Sequence, residues 1–291
     1  MSQTKLKRYH HSVMKFMAIA KQQAAMSYAT QHDRKHRLMD MGQTLYHLGY
    51  KVSAIDKLKP KHITILIQHW QQSNLSVGTI KNRLADIRFT CKILKRPHVV
   101  KENNQAYGLG GRPAQSAKNR AIDIKAFSMI KDNPYLRCTL ELQRVFGLRR
   151  EEAIKIKPHI ADKGGRLILQ PSWTKGGIGR PIPIITSEQR YWLEQAKSLV
   201  KTSDSLIPKE RTYIQQRHAY DWAVRHTLKM KNLHGLRHAY AQERYRQITQ
   251  CEPPITAKKD YIRPQNDQEA RQIISKELGH SRVEVTKVYL G

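Results

Sequence analysis

The chain has 291 residues, a length that favours two domains, and its 53 Lys and Arg against 23 Asp and Glu give a formal net charge of +30. Residues 1–115 hold 20 basic and 5 acidic side chains and residues 116–291 hold 33 and 18, so both halves are expected to face a polyanion, nucleic acid above all. No apolar run approaches the roughly 20 residues of a membrane span, which argues against a membrane protein. Cys91, Cys138 and Cys251 form no CxxC pair, which argues against a zinc ribbon or a disulfide framework. The cysteines therefore favour the reducing cytoplasm.

The first 98 residues have helical periodicity throughout. Residues 12–31 are rich in Ala, Met and Gln, and apolar side chains recur at helical spacing in residues 33–50, 59–74 and 76–94. No stretch in this part has the alternation of a strand. The pattern predicts a small domain of four or five helices over residues 1–98.

Residues 99–117 have a different composition. They include three glycines between positions 108 and 111, several polar side chains and little periodicity. This composition is typical of a linker, so a second domain is predicted over residues 118–291.

The second domain is predicted to be mostly helical. Residues 123–158 have helical character with breaks at Pro134 and Gly147, and four later segments also predict helices: 187–200, 211–229, 234–250 and 266–280. Between them, "GRLILQ" and "RPIPII" flank "PSWTKGGIG", which predicts a β-hairpin with a Gly-rich tip. The fold class is therefore mainly α with a small β-sheet.

The stretch "FGLRREEAIKI" could hold a phosphate. Gly147 would end one helix, and the next would start at Arg149. Arg149 and Arg150 both offer a planar guanidinium to two phosphate oxygens, while Glu151 and Glu152 suit the first turn of a helix. A solvated, charged helix start is the plain alternative for this stretch on its own.

The stretch "TKGGIGRP" places Lys175 at the predicted hairpin tip. A Lys held by flexible glycines can reach into a site and donate a proton to a leaving oxygen. A surface turn residue is the plain alternative.

The stretch "LHGLRHAY" places His234, Arg237 and His238 on one helix face. Two histidines four apart resemble half of a zinc site, but Gly235 stands where the Glu of HExxH would be. An Arg on the same face repels a metal ion and suits an anionic phosphorus centre. Histidines with only a structural role remain an alternative.

The end of the chain, "LGHSRVEVTKVYLG", places His280 nine residues before Tyr289. Gly279 is expected to stop one helix before another begins. A tyrosine has a solution pKa of about 10 and is a poor nucleophile at neutral pH. Cations gathered around it would favour the phenolate, and the three preceding stretches could supply them.

Taken together and in this order, the four stretches resemble the catalytic domain of the tyrosine recombinases, or phage-type integrases. The matching segments are "GLR" at 147–149, "TKGG" around Lys175, "HGLRH" at 234–238, and "LGH" at 278–280 followed by Tyr289. The resemblance covers residues 118–291. The first 98 residues are similar in kind to the helical, SAM-like core-binding domain of these enzymes.

The resemblance implies a role for each matching residue. Tyr289 would attack the scissile phosphate and form a 3′-phosphotyrosyl bond, and Arg149 and Arg237 would hold the non-bridging oxygens. Lys175 would protonate the departing 5′ oxygen. His234 would assist proton transfer.

Further roles follow from the same resemblance. His280 would hydrogen-bond the phosphate, and Glu152 and His238 would orient the arginines. The helix containing "VGTIKNRLADIRF" would face DNA. Its candidate contacts are Thr79, Lys81, Asn82 and Arg83.

The chemistry implied by the resemblance needs no cofactor. Two guanidiniums, a Lys and two imidazoles stabilise charge at phosphorus without a metal, and covalent capture conserves the phosphodiester energy without ATP. The sequence has no GxxxxGK[ST] motif and no carboxylate cluster for paired Mg²⁺. No metal and no cofactor are therefore expected.

The resemblance also implies partners. The enzyme would clamp double-stranded DNA and act as a homo-tetramer on two DNA sites, with accessory DNA-bending or directionality factors, to integrate or excise a mobile element. Only Leu290 and Gly291 follow Tyr289, so either subunits couple through surfaces other than a helix after the tyrosine, or the sequence is cut short.

Three other functions are compatible with parts of this pattern. A type IB topoisomerase-like enzyme would use the same nucleophile to relax DNA without strand exchange. A DNA-binding protein could keep the fold without catalysis. A zinc hydrolase could be built on His234 and His238.

Overall fold

The computed structural model describes residues 2–111, 118–124, 127–257 and 261–291. The chain divides into two compact units, Met1–Pro113 and Ala114–Gly291. The predicted boundaries at residues 98 and 117 stay predictions.

The first unit is built from helices. Four α-helices form it, in the order α1 (Ser2–Gln23), α2 (Tyr28–His47), α3 (Pro60–Gln72) and α4 (Val77–Ile93). A short 3₁₀ turn, Ile55–Lys57, lies between α2 and α3, and two more, Pro97–Val99 and Gln105–Tyr107, follow α4. Within its described residues this unit contains no strand, as the periodicity predicted.

The single helix predicted over residues 12–31 is wrong at its C-terminal end. Helix α1 ends at Gln23 and α2 begins at Tyr28. The reason is local chemistry, because the Ser27 hydroxyl accepts a hydrogen bond from the backbone N–H of Thr30 and so caps a new helix. A run of good helix formers before the cap hid this break.

The core of the first unit extends past residue 98. Val99, Val100 and Leu109 are buried in the same apolar cluster as Trp70 from α3. The Lys81 ammonium donates a hydrogen bond to the carbonyl of Gly110. Part of the predicted linker, as far as residue 111, therefore packs onto the helices before it.

A buried carboxylate ties α2 to α4. Asp86 is 4% exposed and accepts hydrogen bonds from Arg34, at 2.9 Å, and from Arg37, at 2.5 Å. The Arg34 guanidinium also lies 3.6 Å from the centre of the Phe89 ring. All three charges of this cluster are thus partnered inside the helical unit.

The second unit is mostly helical with one hairpin. Its elements are α5 (Pro134–Phe146), α6 (Arg150–Lys155), α7 (Pro158–Ala161), β1 (Arg166–Leu169), β2 (Arg180–Pro183), α8 (Ser187–Ser198), α9 (Tyr213–Trp222), α10 (His234–Thr249), α11 (Asp267–Glu277) and α12 (Lys287–Leu290). A π-helical turn, Ala223–Thr227, continues α9, and a 3₁₀ turn, Val283–Thr286, leads into α12. The predicted fold class is confirmed.

The helical prediction for residues 123–133 is wrong. The described residues of this stretch, 123–124 and 127–133, form no helix. The backbone N–H of Phe127 donates to the buried Glu141 carboxylate at 2.7 Å instead of to a helical carbonyl. Pro134 occupies the first turn of α5, where it needs no N–H donor, and Asn133 caps that helix. Proline here starts the helix rather than breaking it.

The predicted hairpin is confirmed. Strands β1 and β2 pair antiparallel, with Leu169 opposite Arg180 and Leu167 opposite Ile182. Along β2, Arg180 and Ile182 are buried while Pro181 is exposed, as a strand with one inward face requires. A basic side chain therefore occupies an inward position of this small sheet.

Helix α10 organises the rest of the second unit, since it packs against α5, α11 and α12. Tyr240, Ala241 and Tyr245 from α10 enter an apolar cluster with Leu278 and Leu290. The end of the chain is thereby held beside α10. No helix in the described part of the chain is long and apolar enough to cross a membrane.

We expect Asp86→Asn to lower the free energy of unfolding of the helical unit by about 3 kcal/mol, since it breaks a buried ion pair shared by two arginines. Hydrogen–deuterium exchange of α2 and α4 peptides in the full chain measures this loss. The control is Asp40→Asn, which removes a half-exposed carboxylate paired with Arg83 and should cost less than about 1 kcal/mol. Equal effects of the two changes would contradict the expectation.

Candidate active site

The first turn of α10 carries three side chains of the site. The helix begins at His234, whose backbone N–H donates to the Asn232 side chain at 3.0 Å. From this start His234, Arg237 and His238 lie on one face. Arg237 and His238 are buried, and His234 is exposed.

Arg237 is a buried cation without a carboxylate partner among the described residues. It is 1% exposed, and its guanidinium donates to the carbonyl of Gly147 at 2.7 Å and to the carbonyl of Leu278. Its Nε lies 3.5 Å from the Tyr289 hydroxyl. Burial lowers the pKa of Arg237 to about 10, so the group is still positive at neutral pH.

Gly147 brings the end of α5 to this guanidinium. Its φ of +59° lies in the left-handed region. A Cβ at this position would stand 2.6 Å from the Tyr240 ring, so no other residue fits without a shift. The glycine thus both ends α5 and presents its carbonyl to Arg237.

The Tyr289 hydroxyl lies among polar groups. The residue is 3% exposed in α12, and its ring packs 4.6 Å from the His238 ring, centre to centre. The hydroxyl oxygen is 3.1 Å from Nε2 of His280, and the backbone carbonyl accepts from Gln242 at 3.1 Å. The ring is therefore anchored in the core while the oxygen stays beside a cation and an imidazole.

The surroundings lower the pKa of all three histidines of the site. Burial first, then the charges of Arg237 and Arg149, lowers the pKa of His280 to about 4. Burial likewise lowers the pKa of His238 to about 4, and desolvation followed by the charge of Arg237 lowers that of His234. A neutral His280 can accept the Tyr289 proton at Nε2 while Arg237 donates to the same oxygen.

Arg149 is oriented by Glu152 at the start of α6. Its Nη1 donates to the fully buried Glu152 carboxylate at 2.7 Å, its backbone N–H donates to the same carboxylate at 2.8 Å, and its Nη2 lies 3.4 Å from the carbonyl of Gly279. Arg150 turns away and pairs with Asp221 at 2.8 Å. Of the two neighbouring arginines, only Arg149 lies beside the Gly279–His280 turn.

Comparison with known families decides the class of protein. The sequence model described as "Phage integrase, N-terminal" matches residues 11–100, and the model described as "Integrase" matches residues 108–243. The chain belongs to the tyrosine recombinase family, the phage-type integrases. It is an enzyme of that class, a site-specific recombinase.

Solved structures agree on the fold of this recombinase. The integrase of transposon Tn1549, in complex with circular intermediate DNA, superposes with a TM-score of 0.55 at 13% identity, over 95% of each chain. An arginine-to-lysine variant of that integrase, with another circular intermediate DNA, gives 0.54 at 12% identity, over 95% of this chain and 94% of the other. No curated protein is similar enough in sequence to match.

The structure does not bring Lys175 into contact with the other site residues of the recombinase. The side chain is exposed in the loop that joins β1 to β2, next to Gly176 and Gly177, which both have positive φ. It makes no hydrogen bond or ion pair with the described residues. Its catalytic role stays a prediction.

The predicted DNA contacts on α4 largely have partners inside the first unit. The Thr79 hydroxyl lies 2.9 Å from that of Ser76, and Lys81 bonds to the Gly110 carbonyl. Arg83 pairs with Asp40 at 2.9 Å, and Asn82 also has a partner. Thr79 and Asn82 are nevertheless exposed, and the DNA-binding role of this helix stays a prediction.

Two further residues contact the site and belong to none of the four motifs. Gln242 holds the Tyr289 backbone, and Arg180 binds Glu152 through two hydrogen bonds, at 2.9 and 2.7 Å. Arg180 could have been noticed, because it shares an inward strand face with Ile182 in an otherwise apolar run. Gln242 gave no comparable signal among the polar residues of α10.

The histidine pair proposed for zinc lacks further ligands nearby. The rings of His234 and His238 stand edge to face, 5.5 Å apart. In the ranges that the structure describes, no three His, Cys, Asp or Glu side chains are grouped so as to hold a metal ion.

The lowered pKa of His238 should make the second unit sensitive to acid. Since the folded pKa lies below the ordinary value of about 6.5, the unfolded chain binds more protons between pH 6.5 and about 4, and the free energy of unfolding falls as pH is lowered through that window. We expect His238→Phe to remove a slope of up to about 1.4 kcal/mol per pH unit. Urea unfolding at half-unit steps of pH measures it.

The matched control is His218→Gln, an exposed histidine of α9, which should leave the slope unchanged. A slope that is the same in His238→Phe and in the unmodified chain would contradict a buried, neutral His238.

Proposed function

We propose that this recombinase cleaves and rejoins double-stranded DNA through a 3′-phosphotyrosyl bond to Tyr289. The observation that carries the proposal is the buried Arg237 guanidinium, which touches the Tyr289 hydroxyl and has no carboxylate partner among the described residues. Burying a cation without an anion is costly. A DNA phosphate bound at this point supplies the missing negative charge.

The proposed step transfers one phosphoryl bond. The Tyr289 oxygen forms a bond to phosphorus as the bond from phosphorus to the 5′ oxygen breaks, which leaves a 3′-phosphotyrosyl and a 5′ hydroxyl. The phenolic proton leaves toward the neutral imidazole of His280, whose Nε2 lies 3.1 Å away. His234 assists proton transfer from the exposed side of the same helix face. Reversal of the step by another 5′ hydroxyl rejoins the strand.

The two guanidiniums have separate supports in this proposal. Arg237 is fixed by backbone carbonyls, and Arg149 is fixed by Glu152. Both would hold non-bridging oxygens as negative charge develops on the phosphoryl group. His280 hydrogen-bonds the phosphate once its contact with the phenol is released, and His238 keeps the Tyr289 ring in place.

Lys175 is proposed to protonate the 5′ oxygen. Its exposed position in a loop with two glycines of positive φ suits a side chain that reaches the site only when DNA is present.

Double-stranded DNA is the proposed partner. The net charge of +30 provides a strong non-specific attraction to phosphates, and the integrase of Tn1549, which has the same fold, is described in complex with DNA. We further propose a homo-tetramer on two DNA sites and accessory DNA-bending or directionality factors, and integration or excision of a mobile element as the outcome.

We expect Tyr289→Phe to abolish covalent adducts with nicked suicide duplexes tiled across the sequences that flank the gene, because the attacking oxygen is missing. Affinity for the same DNA should stay within about threefold, since the ring remains. Denaturing gels measure the adduct and fluorescence polarisation measures binding. The control is Tyr191→Phe, the same change at an exposed tyrosine, which should keep the adduct. An adduct with the Tyr289 variant would refute the nucleophile.

We expect Arg237→Ala to lower the cleavage rate by at least about 100-fold, because it removes a hydrogen-bond donor to the charge that develops on the phosphoryl group. DNA binding should weaken by less than about tenfold. The change leaves the carbonyls of Gly147 and Leu278 without this donor but strands no buried carboxylate, so rates are compared for the folded fraction. Arg244→Ala is the contrast, since it strands the buried Glu277 carboxylate and should cost about 3 kcal/mol. A larger loss of DNA affinity than of cleavage would make Arg237 a simple backbone contact.

A further inference from the structure

Arg180 is a buried side chain whose nitrogens are all engaged. It lies at the start of β2, and its guanidinium and the Glu152 carboxylate are 4% and 0% exposed. Nη1 and Nη2 donate to the two carboxylate oxygens at 2.9 and 2.7 Å, and Nε donates to the carbonyl of Glu277 at 2.7 Å. This two-point pairing fixes the plane of the carboxylate.

The same carboxylate serves two guanidiniums. Each oxygen of Glu152 accepts a hydrogen bond from the Arg180 guanidinium. Oε1 also accepts from the Arg149 side chain, and Oε2 also accepts from the Arg149 backbone N–H. Against the desolvation that would raise it, bonds from Arg180 and then Arg149 lower the pKa of Glu152 to about 2. One negative charge is thus divided between two positive ones, and the cluster keeps one net positive charge.

Arg180 also supports the turn that carries His280. A Cβ on Gly279 would stand 2.9 Å from Cδ of Arg180, so the turn rests directly on this side chain, and Gly279 has a φ of +65°. The Gly279 carbonyl faces Nη2 of Arg149 at 3.4 Å. Arg180 therefore touches both the carboxylate that orients Arg149 and the turn next to His280.

We propose that Arg180 is a positioning residue for phosphoryl transfer. By pairing with Glu152, Arg180 leaves the charge of Arg149 available to a DNA phosphate. By packing against the Gly279 turn, it also keeps His280 in position. Without Arg180, the buried Glu152 carboxylate would compensate Arg149 completely, and Arg149 would attract a phosphate less. The inference rests on the proposed function.

A double-mutant cycle separates this role from structural support. Arg180→Met should slow cleavage of the nicked duplex by about 100-fold, the loss typical of a misplaced catalytic group, while DNA affinity changes less than about threefold. Adding Glu152→Gln removes the charge that captures Arg149, so Arg180→Met/Glu152→Gln should cleave at least about tenfold faster than Arg180→Met alone. A residue that only stabilised the fold would make the double variant equal or worse.

The matched control is Arg144→Met. Arg144 also pairs with a fully buried carboxylate, Glu141, and with Glu188, but it has no contact with the site residues. Loss of these ion pairs should lower the unfolding midpoint. The cleavage rate of the folded fraction should stay within about threefold of the wild-type rate. Circular dichroism establishes the folded fraction for each variant.

Arg180→Lys keeps the inference testable if Arg180→Met fails to fold. Lysine retains the charge but not the two-point geometry, so we expect cleavage about tenfold slower with unchanged DNA affinity. The inference is overturned if Arg180→Lys or a folded Arg180→Met cleaves at the wild-type rate. It is also overturned if the double variant cleaves no faster than Arg180→Met. The proposed function fails separately, if the unmodified enzyme forms no adduct that depends on Tyr289.

Discussion

The site depends on one buried positive charge. Arg237 is almost fully withdrawn from water, and the groups around it in the described structure are carbonyls, a phenol and an imidazole rather than a carboxylate. Such an arrangement costs free energy unless an anion compensates the charge. Every neighbouring feature, from the left-handed Gly147 to the neutral His280, is arranged around this cation. The uncompensated charge is the electrostatic basis of the phosphate-binding role proposed for this site.

In a second charge cluster next to Arg237, the positive charges do have a carboxylate partner. Glu152 is fully paired, and its two arginines come from segments distant in the sequence, α6 and β2. A paired carboxylate orients Arg149 precisely without cancelling its charge, because Arg180 contributes a further positive charge. The site thus combines one guanidinium held by neutral dipoles with another held by a shared carboxylate. Arg237 therefore keeps an uncompensated positive charge, and Arg149 has a fixed orientation.

The catalytic motifs were visible in the sequence because each is local. The spacing of His234, Arg237 and His238 places them on one helix face wherever the helix lies, and a glycine before Arg149 ends one helix and starts another. The hairpin around Lys175 was predictable for the same reason. Residues 123–133 were not, since apolar side chains there resemble a helix while the Phe127 N–H is satisfied by the distant Glu141. Local propensity was overridden by a tertiary hydrogen bond.

The sequence by itself determined the charge, the helical and hairpin elements, and the order of the residues that make this chain a tyrosine recombinase. Only the tertiary structure decided that Arg150 pairs with Asp221, that Arg180 underlies Glu152, and that the hydroxyl of Tyr289 meets His280 rather than the apolar core. The physical reason is distance along the chain. Periodicity and caps act over a few residues, whereas Arg180 and Glu152 are 28 positions apart and Arg237 and Tyr289 are 52 apart. Contacts at such separations depend on how the elements pack, and no local pattern encodes them.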